Sequence, residues 1–232
     1  KMAQATLAQG VPTHFSRTSR HQSAMPQELD ARGLPVKTDY PTMPVPAMYA
    51  MFSSVLGSMG VGIGFAIYKF GATSKFDGKI DALAKNDLGW VYLGLAALKQ
   101  TQFLINVNLG VHRKEAKINV PDQQVYKAHG ATTYVLMEQE GALGSFNRAQ
   151  RALQNYLEQL PGFLAFFFSA GYVFPFPTFV MTLLFGGCRV SAAVGYTKAA
   201  KERMAGNIAS SLVMETFQGL VLLAGVKALL RK

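Results

Sequence analysis

The chain has 232 residues, half of them hydrophobic and only 16% charged, with a formal net charge of +10. A soluble domain carries about a quarter charged residues; here the apolar residues instead gather into blocks near the ~20 residues a helix needs to cross a bilayer. The totals exclude a pair of soluble domains, and the basic residues, which flank apolar blocks instead of forming a stripe interleaved with aromatics, exclude a nucleic-acid surface.

Residues 1–45 are polar and Pro-rich, with Arg17, Arg20 and Arg32 and no acid before Glu28. This composition suits the remains of a transit peptide, or an arm lying on a partner, with a disordered tail as the plain alternative. Residues 46–87 are expected to form one transmembrane helix, at 47–70, and a charged linker. Ser53, Gly57, Gly60 and Gly64 give that helix small-xxx-small spacings, which let backbones approach closely. The string Gly60-Val61-Gly62-Ile63-Gly64 lies inside an apolar run with no preceding strand, so packing explains it better than a nucleotide loop.

Residues 88–232 hold four further apolar blocks. The first, 88–111, opens with Trp90 and Tyr92 and carries Lys99, Gln100, Gln102, Asn106 and Asn108, a face expected to turn inward because such groups are costly against lipid. It ends in His112-Arg113-Lys114 and a loop to Ser145. The next, 146–174, is polar at its start and has Pro161 in its middle, which a helix accommodates by kinking. Pro175 and Pro177 predict a tight uncharged turn. Blocks at 178–196 and 205–230 follow, separated by the basic loop 198–203. With five spans, the arm, the 112–145 loop and the 197–204 loop share one side. That side holds most of the Lys and Arg, so it is expected to face cytosol, matrix or stroma. The expected fold is all-α, a transmembrane four-helix bundle with one additional N-terminal transmembrane helix.

The informative stretch is 146–161. On a helix Arg151, Asn155 and Glu158 fall at i, i+4 and i+7 on one face, and Arg148 extends it by a turn. Arg151 and Glu158 are separated by roughly 10 Å along the axis, a distance that predicts no close ion pair between them. Each charge then needs a partner. Interhelical pairing, for instance Glu158 with Lys99, and a charged ligand both meet that need. The lone cysteine, Cys188, beside Arg189, reads as packing, the four histidines share no metal-ligand spacing, and the aromatic run 163–168 reads as a packed or lipid-facing stripe.

Phe146, Arg151, Ala152, Asn155, Glu158 and Pro161 match in register the pattern F-x-x-x-x-R-A-x-x-N-x-x-E-x-x-P. This resembles the signature of the membrane-associated proteins in eicosanoid and glutathione metabolism (MAPEG), and most closely the microsomal glutathione transferase branch. Arg113-Lys114 followed by Pro121, Arg189-Val190 with Gly195-Tyr196, and then Arg203 and Gly206 resemble the family's flanking segments in the correct order. The resemblance covers residue 88 to the C-terminus. It implies a four-helix protomer in the lipid bilayer, usually a homotrimer, with glutathione bound between protomers as substrate or cosubstrate. Carboxylates of glutathione would suit Arg113 or Arg151 and its ammonium Glu158. Asn155 serves either polarity, and Tyr196 lies where a ligand contact is expected. By resemblance Arg203 would be the catalytic residue that holds the thiolate. The chain departs from the family pattern at Ala192, where members commonly place tyrosine, and at Leu153.

Two functions are consistent with this reading. One is a glutathione-dependent transferase or peroxidase acting on lipophilic substrates. The other is a non-catalytic accessory subunit of a large mitochondrial or plastid membrane complex. The first is also compatible with the endoplasmic reticulum. No metal is expected in either.

Overall fold

The protein's computed structural model describes residue 28 and residues 30–31, 34–128 and 135–231. Most of the expected arm, including Arg17, Arg20 and Arg32, lies outside the described residues, as does His129.

Helix α1 spans Val45–Phe70. Proline is tolerated in its first turn because those N–H groups lack intrahelical partners anyway. Its wall is apolar all round, and Met51, Leu56, Val61 and Phe65 are exposed, as suits a helix facing lipid. The segment read as a charged linker is instead helix α2, Thr73–Lys85. Phe76, Ile80 and Leu83 recur at helical spacing there, a weak stripe that the charges around it hide. Tyr68 donates a 2.6 Å hydrogen bond to Asp77 and ties α2 back to α1.

Helices α3 (Gly89–Glu115), α4 (Gly141–Val173), α5 (Pro175–Lys198) and α6 (Met204–Leu229) form one bundle, with a single 3-10 turn, Ala200–Arg203, before the last. Phe174 alone joins α4 to α5. Pro175 makes so tight a turn possible, since its ring presets the helical φ and it has no N–H to satisfy. Three helical segments are long and apolar enough to cross a membrane: Val45–Phe70, Pro175–Lys198 and Ala200–Leu229. Helices α3 and α4 have the length but carry more polar groups. The protein is an integral membrane protein.

The core is aromatic. Phe163 of α4 stacks on Phe185 of α5 at 4.2 Å and meets Phe217 of α6 edge-on at 5.2 Å. Phe163 and Phe167 are fully buried while Phe168 is exposed, so the aromatic run divides between packing and the outer surface. Helix α3 presents Val91, Leu98, Thr101 and Ile105 to this core. Those residues take its inward face, which leaves Lys99, Gln100 and Gln102 exposed rather than turned in as expected.

The α3–α4 connection is more ordered than a loop. Strands β1 (Tyr126–Ala128) and β2 (Val135–Met137) pair antiparallel, Tyr126 opposite Met137. Asn147 of α4 fixes the hairpin base by donating to the carbonyls of Val125 and Glu138 and accepting from the N–H of Val125. Lys114 donates to the carbonyls of Pro41, Thr42 and Met43 at 2.7–3.2 Å. This places the segment before α1 on the same side as the α3–α4 connection. Burial lifts the Tyr40 phenol in that segment above its ordinary pKa; nearby Tyr49 adds to the rise and Arg113 opposes it. The ring therefore stays neutral at physiological pH.

Candidate functional site

Three helices converge on one guanidinium. Arg189 sits in α5 and is 4% exposed. Its Nη2 donates to Asn155 Oδ1 of α4 at 2.6 Å and its Nη1 to Asn207 Oδ1 of α6 at 3.1 Å. Its Nε is buried without a hydrogen-bond partner among the described residues. A buried, unsatisfied donor on a charged group is costly, so a third acceptor at this place is favoured. Two turns further along α5, Tyr196 lies under Arg203, whose guanidinium carbon is 4.4 Å from the ring centroid.

Asn155, Arg189, Ala192, Tyr196, Arg203 and Asn207 line a small cleft between these helix ends. Its volume is about 10 Å³, room for about one water molecule. Two cations and no carboxylate line it. Within a single protomer such a cleft accepts one anionic atom, not a whole peptide.

Arg151 and Glu158 lie on the outer wall of α4, and they pair with each other. Arg151 Nη1 is 3.0 Å from Glu158 Oε1, with the two side chains 40% and 47% exposed. The expectation that two helical turns are too great a separation is thus corrected. The axial distance is between backbones, and the long arginine arm lying along the helix surface closes it. Pairing of Glu158 with Lys99 does not occur. An ion pair this exposed contributes at most about 1 kcal/mol, so a ligand offering its own carboxylate and ammonium opens it easily.

The structure therefore brings Asn155, Tyr196 and Arg203 to one cleft, with Arg151 and Glu158 on the adjoining helix wall. Arg113 is not brought there. It is buried, its Nη1 donates to the carbonyl of Asp122 at 2.6 Å and more weakly to those of Ile118 and Asn119, and it stacks on Phe146 at 4.8 Å. Arg148 is likewise committed to the backbone, donating to the carbonyls of Tyr196, Thr197 and Gln139, which satisfies the last turn of α5. Replacing Arg113 with alanine is expected to speed hydrogen exchange across 118–122 while leaving ligand affinity at the cleft unchanged; a large loss of affinity with unaltered exchange would contradict this placement.

Sequence reasoning left Arg189 and Asn207 off the site. The signal for Arg189 was an arginine within an apolar span, which must find partners inside the bundle. That for Asn207 was its i+4 spacing from Arg203.

Fold and cleft together define a membrane-embedded helical bundle with an anion-receptive site near the end of its last two spanning helices. The sequence model of the MAPEG family matches residues 90–223, more than half of the chain, and the chain belongs to that family, whose members act in membranes in eicosanoid and glutathione metabolism. Helices α1 and α2 lie outside the matched region. No curated protein matches the chain.

Proposed function

We propose that the protein is a glutathione-dependent membrane transferase or peroxidase acting on lipophilic substrates. The observation that carries this reading is the doubly cationic, carboxylate-free cleft of Arg189 and Arg203 beside the outward Arg151–Glu158 pair. Glutathione has the complementary layout: two carboxylates, one ammonium and one thiol. The thiol supplies the nucleophile or reductant, and a free thiol with pKa near ~8.5 is mostly protonated at neutral pH. A thiolate sulfur at the cleft would lie between two guanidinium groups, which favours its charged form. The orphan Arg189 Nε is a donor suited to the same anion.

The peptide body does not fit inside the cleft and would lie along α4. There Arg151 takes a carboxylate through its planar fork and Glu158 the ammonium. Asn155 stands between them and the cleft, its Oδ1 already occupied by Arg189. The α4 wall that bears Arg151 and Glu158 is exposed in one protomer, which suits binding between copies of the chain. The lipophilic second substrate would reach the sulfur from the bilayer.

Calorimetric titration of the detergent-solubilised protein with glutathione tests the reading. Saturable binding in the millimolar range or tighter is expected, weakened about tenfold in Arg151→Ala, the effect of losing one charge-assisted contact of roughly 1.4 kcal/mol. Absence of binding by the parent protein at millimolar glutathione ends the proposal.

One observation favours the accessory-subunit reading. Ala192 lines the cleft where family members commonly carry tyrosine, so no hydroxyl reaches the site from that position. Turnover of an electrophile by the purified protein separates the two readings: a subunit without catalysis leaves the thiol unconsumed.

A further inference from the structure

Helix α2 is too short to cross a bilayer. Its 13 residues reach about 20 Å, against roughly 30 Å of hydrocarbon. Lys75, Asp77, Lys79, Asp81 and Lys85 make it strongly charged. Its neighbours set its place. Val45 and Tyr49, at the start of α1, lie against Gly110 near the end of α3, and Tyr49 also meets Phe103. The two helices therefore run antiparallel, and the end of α1 and the start of α3 stand at one membrane face. Helix α2 joins those two ends, so it lies at that face, at the opposite end of the bundle from the cleft of Arg189 and Arg203.

The charges on α2 are sorted. Phe76, Ile80 and Leu83 form one apolar stripe. Asp77 and Asp81 border one edge of it, and Lys75 and Lys79 border the other. The acidic edge is turned to α1, where Asp77 accepts its hydrogen bond from Tyr68. The basic edge is exposed, and neither lysine has an ion-pair partner among the described residues. No residue of α2 is buried, and Ile80 is half exposed. A short helix of this kind, joined at both ends to helices in the bilayer, sinks its apolar stripe to the boundary between headgroups and acyl chains.

The stripe leads into a slot. Leu83 of α2, Val91 and Leu95 of α3 and Phe168 of α4 line about 290 Å³, together with Tyr92 and Tyr172. No charged side chain lines it. Both tyrosines are exposed, so the slot opens outward, at the level where such rings meet headgroups. Its volume falls at the bottom of the roughly 300–1,000 Å³ of pockets that take a drug-sized molecule, which suits one narrow chain. Lys79 precedes Leu83 by one turn on the same side of α2, so a cation stands beside the slot. A lysine at this level attracts an anionic headgroup, and two on one edge without a carboxylate favour a headgroup of net negative charge.

We propose that the slot between α2, α3 and α4 holds one acyl chain of an anionic glycerophospholipid, whose phosphate sits on Lys79 and Lys75. The bilayer that surrounds the spanning helices supplies the occupant. The site is independent of glutathione binding.

The test uses the full-length protein carrying Cys188→Ser in vesicles of equal parts phosphatidylcholine and phosphatidylglycerol. Nitroxide labels are placed, one at a time, at Ile80→Cys and Gly78→Cys, on opposite faces of α2. The label at position 80 is expected to be reached by oxygen, which partitions into lipid, and the label at 78 by a water-soluble nickel chelate. Equal access of the chelate to both leaves α2 in water and overturns the proposal. Mass spectrometry of the intact protein released from these vesicles gives the second measurement. Phosphatidylglycerol is expected to be retained severalfold over phosphatidylcholine. Lys79→Ala is expected to abolish that preference, and Lys85→Ala, on the polar side of the helix, to keep it. Equal retention of the two lipids by the parent, or equal loss in the two variants, overturns the assignment. Glycerol phosphate at millimolar concentration is expected to leave the retained lipid in place; displacement by it would show an anion site without an acyl seat and overturn the proposal as well.

Discussion

Arg203→Ala is expected to lower glutathione-dependent turnover by about 100-fold while changing glutathione affinity far less. In the proposed function affinity would be carried by Arg151, Asn155 and Glu158 along α4, whereas Arg203 would act where charge collects on sulfur. Removing one preorganised charge stabiliser costs about 100-fold or more in rate. Among the described residues Arg203 is held only by its stacking on Tyr196, an interaction of about 0.5–2 kcal/mol at a partly buried site. The guanidinium is therefore cheap to re-aim toward a thiolate. The measurement pairs the turnover of a chromogenic electrophile with the ultraviolet absorbance of bound thiolate. Both are expected to fall together, and Arg203→Lys to recover part of each, since it returns the charge without the fork. Unchanged thiolate absorbance in Arg203→Ala would place the activating cation elsewhere, with Arg189 the remaining candidate in the cleft.

The second large effect concerns Gly206. A Cβ at this position would lie 2.6 Å from the carbonyl oxygen of Cys188, 2.8 Å from the nitrogen of Ala192 and 2.9 Å from its Cβ. Two of these three are backbone atoms of α5, which cannot rotate aside. Gly206→Ala therefore forces α6 away from α5, and overpacking of this kind costs about 1–3 kcal/mol. Asn207 and Arg203 ride on the displaced segment, so the cleft widens as well. A lower thermal midpoint in detergent and weaker glutathione binding are expected in the same variant. An unchanged midpoint would show that the two helices separate without cost. This contact also accounts for Ala192: at the closest approach of α5 and α6, small residues are matched on both helices, and a tyrosine ring there would need a different path for α6.

What was legible in the sequence was set by one-dimensional signals. The long apolar blocks placed α1, α3, α4, α5 and α6 to within a few residues at most ends, because bilayer length and periodicity act locally. The Arg151, Asn155 and Glu158 face was visible for the same reason. Helix α2 was not, since its short stripe of Phe76, Ile80 and Leu83 is outnumbered by charges. The pairing of 126–128 with 135–137 was hidden because Asn147, a side chain of the helix that follows, supplies its anchoring hydrogen bonds. Roles decided by tertiary reach were the least readable. Arg113 and Arg148 look like ligand cations in a string of letters, yet both spend their donors on backbone carbonyls. Lys99 was expected inside the bundle, yet Val91, Leu98, Thr101 and Ile105 occupy the inward face of α3 and leave it exposed.

The most direct test of the glutathione site is a structure of the solubilised protein determined in millimolar glutathione. The thiol sulfur is expected in the cleft between Arg189 and Arg203, with the peptide along α4 and the Arg151–Glu158 pair opened to receive its charged ends. An empty cleft, with Arg151 still joined to Glu158 and Arg203 still resting on Tyr196, would contradict it.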